Sequence, residues 1–166
     1  MKKSILIIDD EKEICDSLTM ILEYEDYDVD FTVDVDQGLK KLEYNSYDAL
    51  LLDIQMPKMT GFEVMNWIKE NEINISTIII SAHGNLENAI KATKMGAFDF
   101  IEKPIDRDKL LISIRNAVDN LFQKRIPFSA HFFIGKGVCN TSNNKANIKF
   151  FNALPHSGRK HFLGSL

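Results

Sequence analysis

The chain has 166 residues, of which 45% are hydrophobic and 27% charged, enough for one globular domain with an appendage and too apolar for a disordered polymer. Net charge is −4 but divides unevenly: residues 1–125 hold 15 Lys/Arg against 24 Asp/Glu, net −9, whereas residues 126–166 hold five Lys/Arg and no acid. The acidic part argues against nonspecific nucleic-acid binding by its own surface, and two cysteines are too few for a disulfide scaffold, which suits a reducing cytoplasm.

Five short apolar runs alternate with helical patterns. The first, Ile5–Ile8, stops at Asp9–Asp10, short of the roughly 7–15 residues of a signal-peptide core. Ile14, Leu18, Ile21 and Leu22 follow at helical spacing. The second run, Val29–Val33, alternates apolar and polar residues, as a strand near a sheet edge does. Val35, Leu39 and Leu42 mark the second helix, Ala49–Leu52 the third strand, and Phe62, Met65 and Ile68 the third helix. The fourth strand is expected over Thr77–Ile80, and a fourth helix with Leu86, Ala89, Ile90 and Thr93 as its apolar stripe. A fifth strand over Ala97–Ile101 precedes the clearest helix, with Leu110, Leu111, Ile114, Ala117, Val118 and Leu121 on one face. Runs one, three and four lack alternation, as expected of parallel strands covered on both faces. The fold class is therefore α/β: a doubly wound, five-stranded parallel sheet flanked by five helices. No run approaches the roughly 20 residues of a membrane span, so the expectation is a soluble, cytoplasmic protein.

After Arg125 the periodicity stops. Residues 1–125 are expected to form one domain and residues 126–166 a basic, irregular C-terminal extension.

Ligands of open parallel sheets bind beyond the carboxyl ends of the strands. At those ends stand Asp9, Asp10 and Glu11 after strand one, Asp53 after strand three, Ser81 after strand four, and Lys103–Pro104 after strand five. An ionised Asp at the end of a buried run needs a partner. Clustered carboxylates repel unless a cation joins them, and an all-oxygen set with water favours Mg²⁺. With Lys103 as a second positive charge, the set suits phosphoryl transfer onto an Asp, and Asp53 is the candidate acceptor.

These motifs resemble the receiver domains of bacterial two-component response regulators, the CheY-like family. IIDDE (7–11), LLLDIQMPKMTGFEV (50–64), IIISAHG (78–84) and GAFDFIEKP (96–104) match its pattern in order, and the likeness covers residues 4 to about 124. The stretch SAHGNLENAIKATKMGAFDFIEKP is closest to the nitrogen-regulatory, NtrC/NtrX-like subfamily. The resemblance implies a flavodoxin-like receiver fold and phosphorylation of Asp53 by a partner histidine kinase. It implies Mg²⁺ held by Asp9, Asp10, Asp53 and the Gln55 backbone carbonyl, with Glu11 as an accessory neighbour. Ser81 and Lys103 would contact the phosphoryl oxygens, the Lys103–Pro104 bond would be cis, and Phe100 would turn inward as Ser81 moves. His83 and Gln55 would line the pocket mouth and tune water access. The output surface would be the fourth helix, fifth strand and fifth helix, through which receivers of this family also form homodimers.

Fuller relatives couple such a receiver to transcriptional control through an ATPase module and a DNA-binding domain. IGKG (134–137) faintly resembles the entry to that module, but no GxxxxGK[ST] loop follows and no DNA-binding domain is visible before Leu166. The tail is expected to be a remnant of an output module. His131, Cys139, His156 and His161 match no zinc spacing, and the six Phe and five basic residues form no nucleic-acid platform motif. The protein is thus expected not to be an enzyme with an external substrate, catalysing only its own phosphorylation and dephosphorylation. Two alternatives are a phosphorylation-independent binding module and an aspartyl-phosphate phosphohydrolase. Gln55 counts against the latter, because it stands where such enzymes place a second Asp.

Overall fold

The computed structural model of the chain describes residues 2–82 and 86–125. Five strands and five helices alternate: β1 (Ser4–Ile8), α1 (Lys12–Tyr24), β2 (Asp28–Thr32), α2 (Val35–Tyr44), β3 (Ala49–Asp53), α3 (Gly61–Glu70), β4 (Ser76–Ser81), α4 (Leu86–Met95), β5 (Asp99–Glu102) and α5 (Arg107–Arg125). All pairings are parallel, in the order β2-β1-β3-β4-β5, which puts the alternating second strand at an edge as expected.

The unbroken apolar runs follow from burial on both faces. Ile5, Ile7, Leu51, Ile78 and Ile80 point to one side, against Cys15, Leu18 and Leu22 of α1 and Leu110, Ile114 and Ala117 of α5. Leu6, Ile8, Leu50, Leu52 and Ile79 point to the other, against Val35 and Leu42 of α2, Phe62, Val64, Met65 and Ile68 of α3, and Ala92 of α4. A strand covered on both sides has no polar face, so its period-two signal disappears. Cys15 packs as a small apolar residue, its Sγ donating to the Asp9 carbonyl at 3.4 Å.

Three sequence expectations are corrected. The fifth strand begins at Asp99 rather than Ala97. Gly96 (φ +97°) ends α4, its N–H bonding to Thr93 O and that of Ala97 to Ala92 O, both at 3.0 Å. Ala97 is therefore consumed by a helix-closing motif whose glycine supplies the left-handed residue. Next, β2 stops at Thr32, leaving Val33 outside the ladder and 45% exposed.

The third correction concerns α4. The helix meets the sheet through Ala92, with Met95 packed alongside, whereas Leu86 is 76% and Ile90 46% exposed and Thr93 also faces solvent. Periodicity shows which residues share a helical face but not which face the sheet takes. Here Ala92 and Met95 take the sheet side, and Leu86 and Ile90 are left outside.

His83 lies outside the described residues, as do the metal-site, nucleic-acid and output-module readings of residues 126–166. Among the described residues no helix is long and apolar enough to cross a membrane.

Candidate functional site: a carboxylate–lysine cluster at the sheet edge

The carboxyl ends of β1, β3, β4 and β5 bring together most of the residues that the sequence singled out. Asp53 is the last residue of β3 and Ser81 the last of β4, and both are buried, as is Asp9 just beyond β1. Lys103 follows β5 and reaches back across the edge. Its Nζ stands 2.9 Å from Asp9 Oδ2, 3.0 Å from Asp53 Oδ1 and 2.8 Å from Glu11 Oε1. One ammonium thus bridges three carboxylates drawn from two strand ends and a loop.

The main chain holds this arrangement in place. The Lys103 N–H donates to the Ser81 carbonyl at 2.8 Å, and the Ile54 N–H to Ile80 O at 3.1 Å. Asp9 Oδ1 accepts from the Glu11 N–H at 2.9 Å, and Asp53 Oδ2 from the N–H of Gln55. The Lys103–Pro104 peptide is cis, as expected. Asp10 is exposed at the rim, and Phe100 on β5 is half-buried against the cluster that α2, α3 and α4 share.

Electrostatics separate the two central partners. Burial pushes the Asp53 carboxyl up, and Lys103 only partly counters it. For Lys103, burial works against the charge, but the neighbouring carboxylates of Glu11, Asp9 and Asp53 outweigh it and hold the ammonium well above its usual range. Three carboxyl groups thus share the Lys103 ammonium.

That balance fits a second cation. Asp9 Oδ2 is buried and close to Lys103 yet in no hydrogen bond, so a carboxylate lone pair has no aligned donor. Among the described residues, no three His, Cys, Asp or Glu side chains gather closely enough to hold a metal alone. Mg²⁺ asks for less: one or two carboxylates, with water and other oxygens completing the octahedron. Asp9 and Asp53 meet that need.

The sequence pattern of the response regulator receiver domain matches residues 5–115. This chain belongs to the response regulator receiver family. The receiver is 36% identical over 127 residues to the nitrogen assimilation regulatory protein NtrX of Azorhizobium caulinodans, covering 75% of this chain and 28% of the relative. It thus spans little more than a quarter of that protein. Among solved structures it is similar to the signal receiver domain of a putative Luxo repressor protein from Vibrio parahaemolyticus (TM-score 0.72, 27% identity, covering 75% of this chain and 95% of that one). It is also similar to the beryllofluoride-activated NtrC4 receiver domain dimer (TM-score 0.68, 35% identity, covering 71% and 98%). The fold is CheY-like, and the role that goes with the family is that of a phosphoryl-accepting signal receiver.

Other features of the receiver's site were not singled out in the sequence. Lys58, in the loop after β3 and with φ 71°, pairs with Asp34 at 2.9 Å and Asp36 at 3.0 Å, tying that loop to the start of α2. The Lys58 ammonium is pushed up to about 12, first by its bond to Asp34 and then by Asp36. Thr60 and Glu63 form a capping box at α3, with Thr60 N–H donating to Glu63 Oε2 at 2.7 Å. A Thr-x-x-Glu pattern before an apolar stripe was a legible signal for that cap. The Lys58 strap had none, because its partners lie more than 20 residues away in sequence.

Proposed function

We propose that Asp53 is the phosphoacceptor of this receiver, that Mg²⁺ is its cofactor, and that a sensor histidine kinase is its phosphodonor. The observation that carries this reading is a buried strand-end carboxylate 3.0 Å from the ammonium of Lys103, with Asp9 held by the same ammonium.

In this reading Asp53 Oδ1 attacks the donor's phosphorus, forming a P–O bond while the bond to the leaving group breaks. The leaving group is imidazole from a phosphohistidine or acetate from acetyl phosphate. Hydrolysis of the acyl phosphate follows the same course: water attacks phosphorus, the bond to Asp53 breaks, and the carboxylate and inorganic phosphate are released. Asp9, Asp53, the rim carboxylate of Asp10 and the Gln55 carbonyl would hold Mg²⁺, which when bound neutralises charge on the transferring group. Lys103 then transfers donors from the carboxylates to phosphoryl oxygens, and Ser81 supplies a hydroxyl beside it. Burial favours catalysis by positioning, because few waters compete with these fixed charges. Gln55 offers an amide where a phosphohydrolase would need a second acid, so the receiver turns over only its own phosphoryl group.

The added group carries about −1.5 to −2 charge and three acceptor oxygens. It draws on Ser81 and Lys103, and the half-buried Phe100 moves inward behind Ser81, altering the surface of α4, β5 and α5. The exposed Leu86 and Ile90 of α4 and Ile112 of α5 support that face as an output and homodimer surface. The receiver is assigned to residues 1–125, with Pro104, Glu11 and His83 as accessory positions.

The test is the intact mass of the full chain after acetyl phosphate and Mg²⁺. A single phosphoryl gain in wild type, absent from Asp53→Asn and without Mg²⁺, is expected. Stoichiometric labelling of Asp53→Asn would overturn the assignment.

A further inference from the structure

The last turn of α1 carries large apolar side chains on its outer side. Met20 is 73% and Tyr24 81% exposed, and with Ile21 and Arg107 they line a shallow groove of about 350 Å³. Single exposed apolar residues are ordinary, but two large ones at helical spacing beside a groove make a candidate docking surface. Along α1 and just past its end stand five acidic residues (Glu13, Asp16, Glu23, Glu25 and Asp26), with Lys12 on Asp16, Lys2 on Asp26 and Arg107 on Glu25. More acids than bases lie on this stretch, Lys12 to Asp26.

The end of α5 reaches the same part of the molecule. Phe122 is 57% exposed and lies 5.4 Å from Lys3 Nζ, while the Lys3 carbonyl accepts from the Asp28 N–H at 2.8 Å, just past the end of α1. From this point the chain continues into residues 126–166, which carry five Lys/Arg, six Phe and no acid. A dozen extended residues reach roughly 40 Å, about twice the length of a 13-residue helix.

We propose that residues 126–166 dock in cis on this face of α1, seating Phe side chains on Met20, Tyr24 and Phe122 while their Lys and Arg face the surrounding carboxylates. Charge complementarity selects the occupant: net +5 against a receiver of net −9, joined covalently at the end of α5 and within reach of the groove. A second groove, lined by Ile14, Leu18, Lys103, Pro104 and Ile105, shares Ile21 with the first, so the docked segment lies beside the approach to Lys103.

The experiment uses the full chain. Cys15 is buried and its thiol is pushed up to about 11, chiefly by burial, so a nitroxide reagent at neutral pH is directed to Cys139, with Cys139→Ser as the labelling control. Isotope-labelled protein should lose amide signal selectively over Met20–Asp26 and around Phe122. High salt, or Met20→Ser with Tyr24→Ser at these exposed positions, should restore it. Signal loss absent from α1, or unchanged by either treatment, would overturn the proposal. So would equal loss when spin-labelled and isotope-labelled chains are separate molecules, which would instead identify a second copy as the occupant.

Discussion

Gly61 packs directly against the main chain of Asp53: a Cβ at Gly61 would stand 2.2 Å from the Asp53 carbonyl oxygen and 3.0 Å from Ile54 Cα. The obstructing atoms are backbone, so they cannot rotate away, and the Gly61 N–H closes the loop onto Ile54 O at 3.0 Å. Gly61→Ala should therefore push the start of α3 away from β3, destabilising by about 1–3 kcal/mol as an overpacked core position does. Urea unfolding measures that loss, and slower phosphoryl labelling of Asp53 should accompany it. Unchanged values for both would show that the loop yields freely.

Lys103→Met removes the ammonium that Asp9 and Asp53 share. Two buried carboxylates then face each other without it, and loss of one partner of a buried ion pair costs about 3–5 kcal/mol. Added Mg²⁺ should recover much of the stability but not the rate of phosphoryl transfer. Denaturant titrations with and without Mg²⁺ check this; the exposed Lys109→Met serves as the reference and should change little.

Asp30 accepts from Tyr47 Oη at 2.9 Å and from Lys41 Nζ at 2.7 Å. Burial opposes its charge, but the bonds to Lys41 and Tyr47 together hold its carboxyl below the usual range. A depressed carboxyl contributes stability above its unfolded pKa of roughly 3.9, lost as pH falls through the folded value. Tyr47→Phe should thus cost about 1 kcal/mol at neutral pH, a modest figure because Asp30 is partly solvated. The gap from wild type should narrow below about pH 4, and stability measured across pH 3–7 would show it.

α3 closes on Glu72, a non-glycine residue at φ 53°, with the Ile73 N–H bonding to Ile68 O at 3.0 Å. It is the same turn that Gly96 makes after α4, built with the wrong residue for it. Glu72→Gly should raise stability by about 0.5–1 kcal/mol, since glycine removes the Cβ penalty in the left-handed region. A higher thermal midpoint is the expected readout; a lower one would mean that the Glu72 side chain contributes more than its backbone costs.

Much of the site was legible because its chemistry is local. A carboxylate after an apolar run marks a strand end, and a parallel sheet brings all such ends to one edge. That logic places Asp9, Asp53, Ser81 and Lys103 together without any knowledge of contacts. Glu11 was expected only as an accessory and proves to hold Lys103 at 2.8 Å, a pairing across 92 residues that spacing does not reveal.

The sequence by itself determined the order and type of the ten elements, the edge position of β2 and the strand ends that carry the charged residues. These depend on hydrophobic period and on breakers, which act over a few neighbouring residues. Only the tertiary structure decided that Ala92 rather than Leu86 and Ile90 turns to the sheet, that Lys58 straps the loop after β3 to α2, and that one ammonium serves three carboxylates. Each of those outcomes is a competition between surfaces or charges far apart in the chain, and it is settled by which of them can approach most closely.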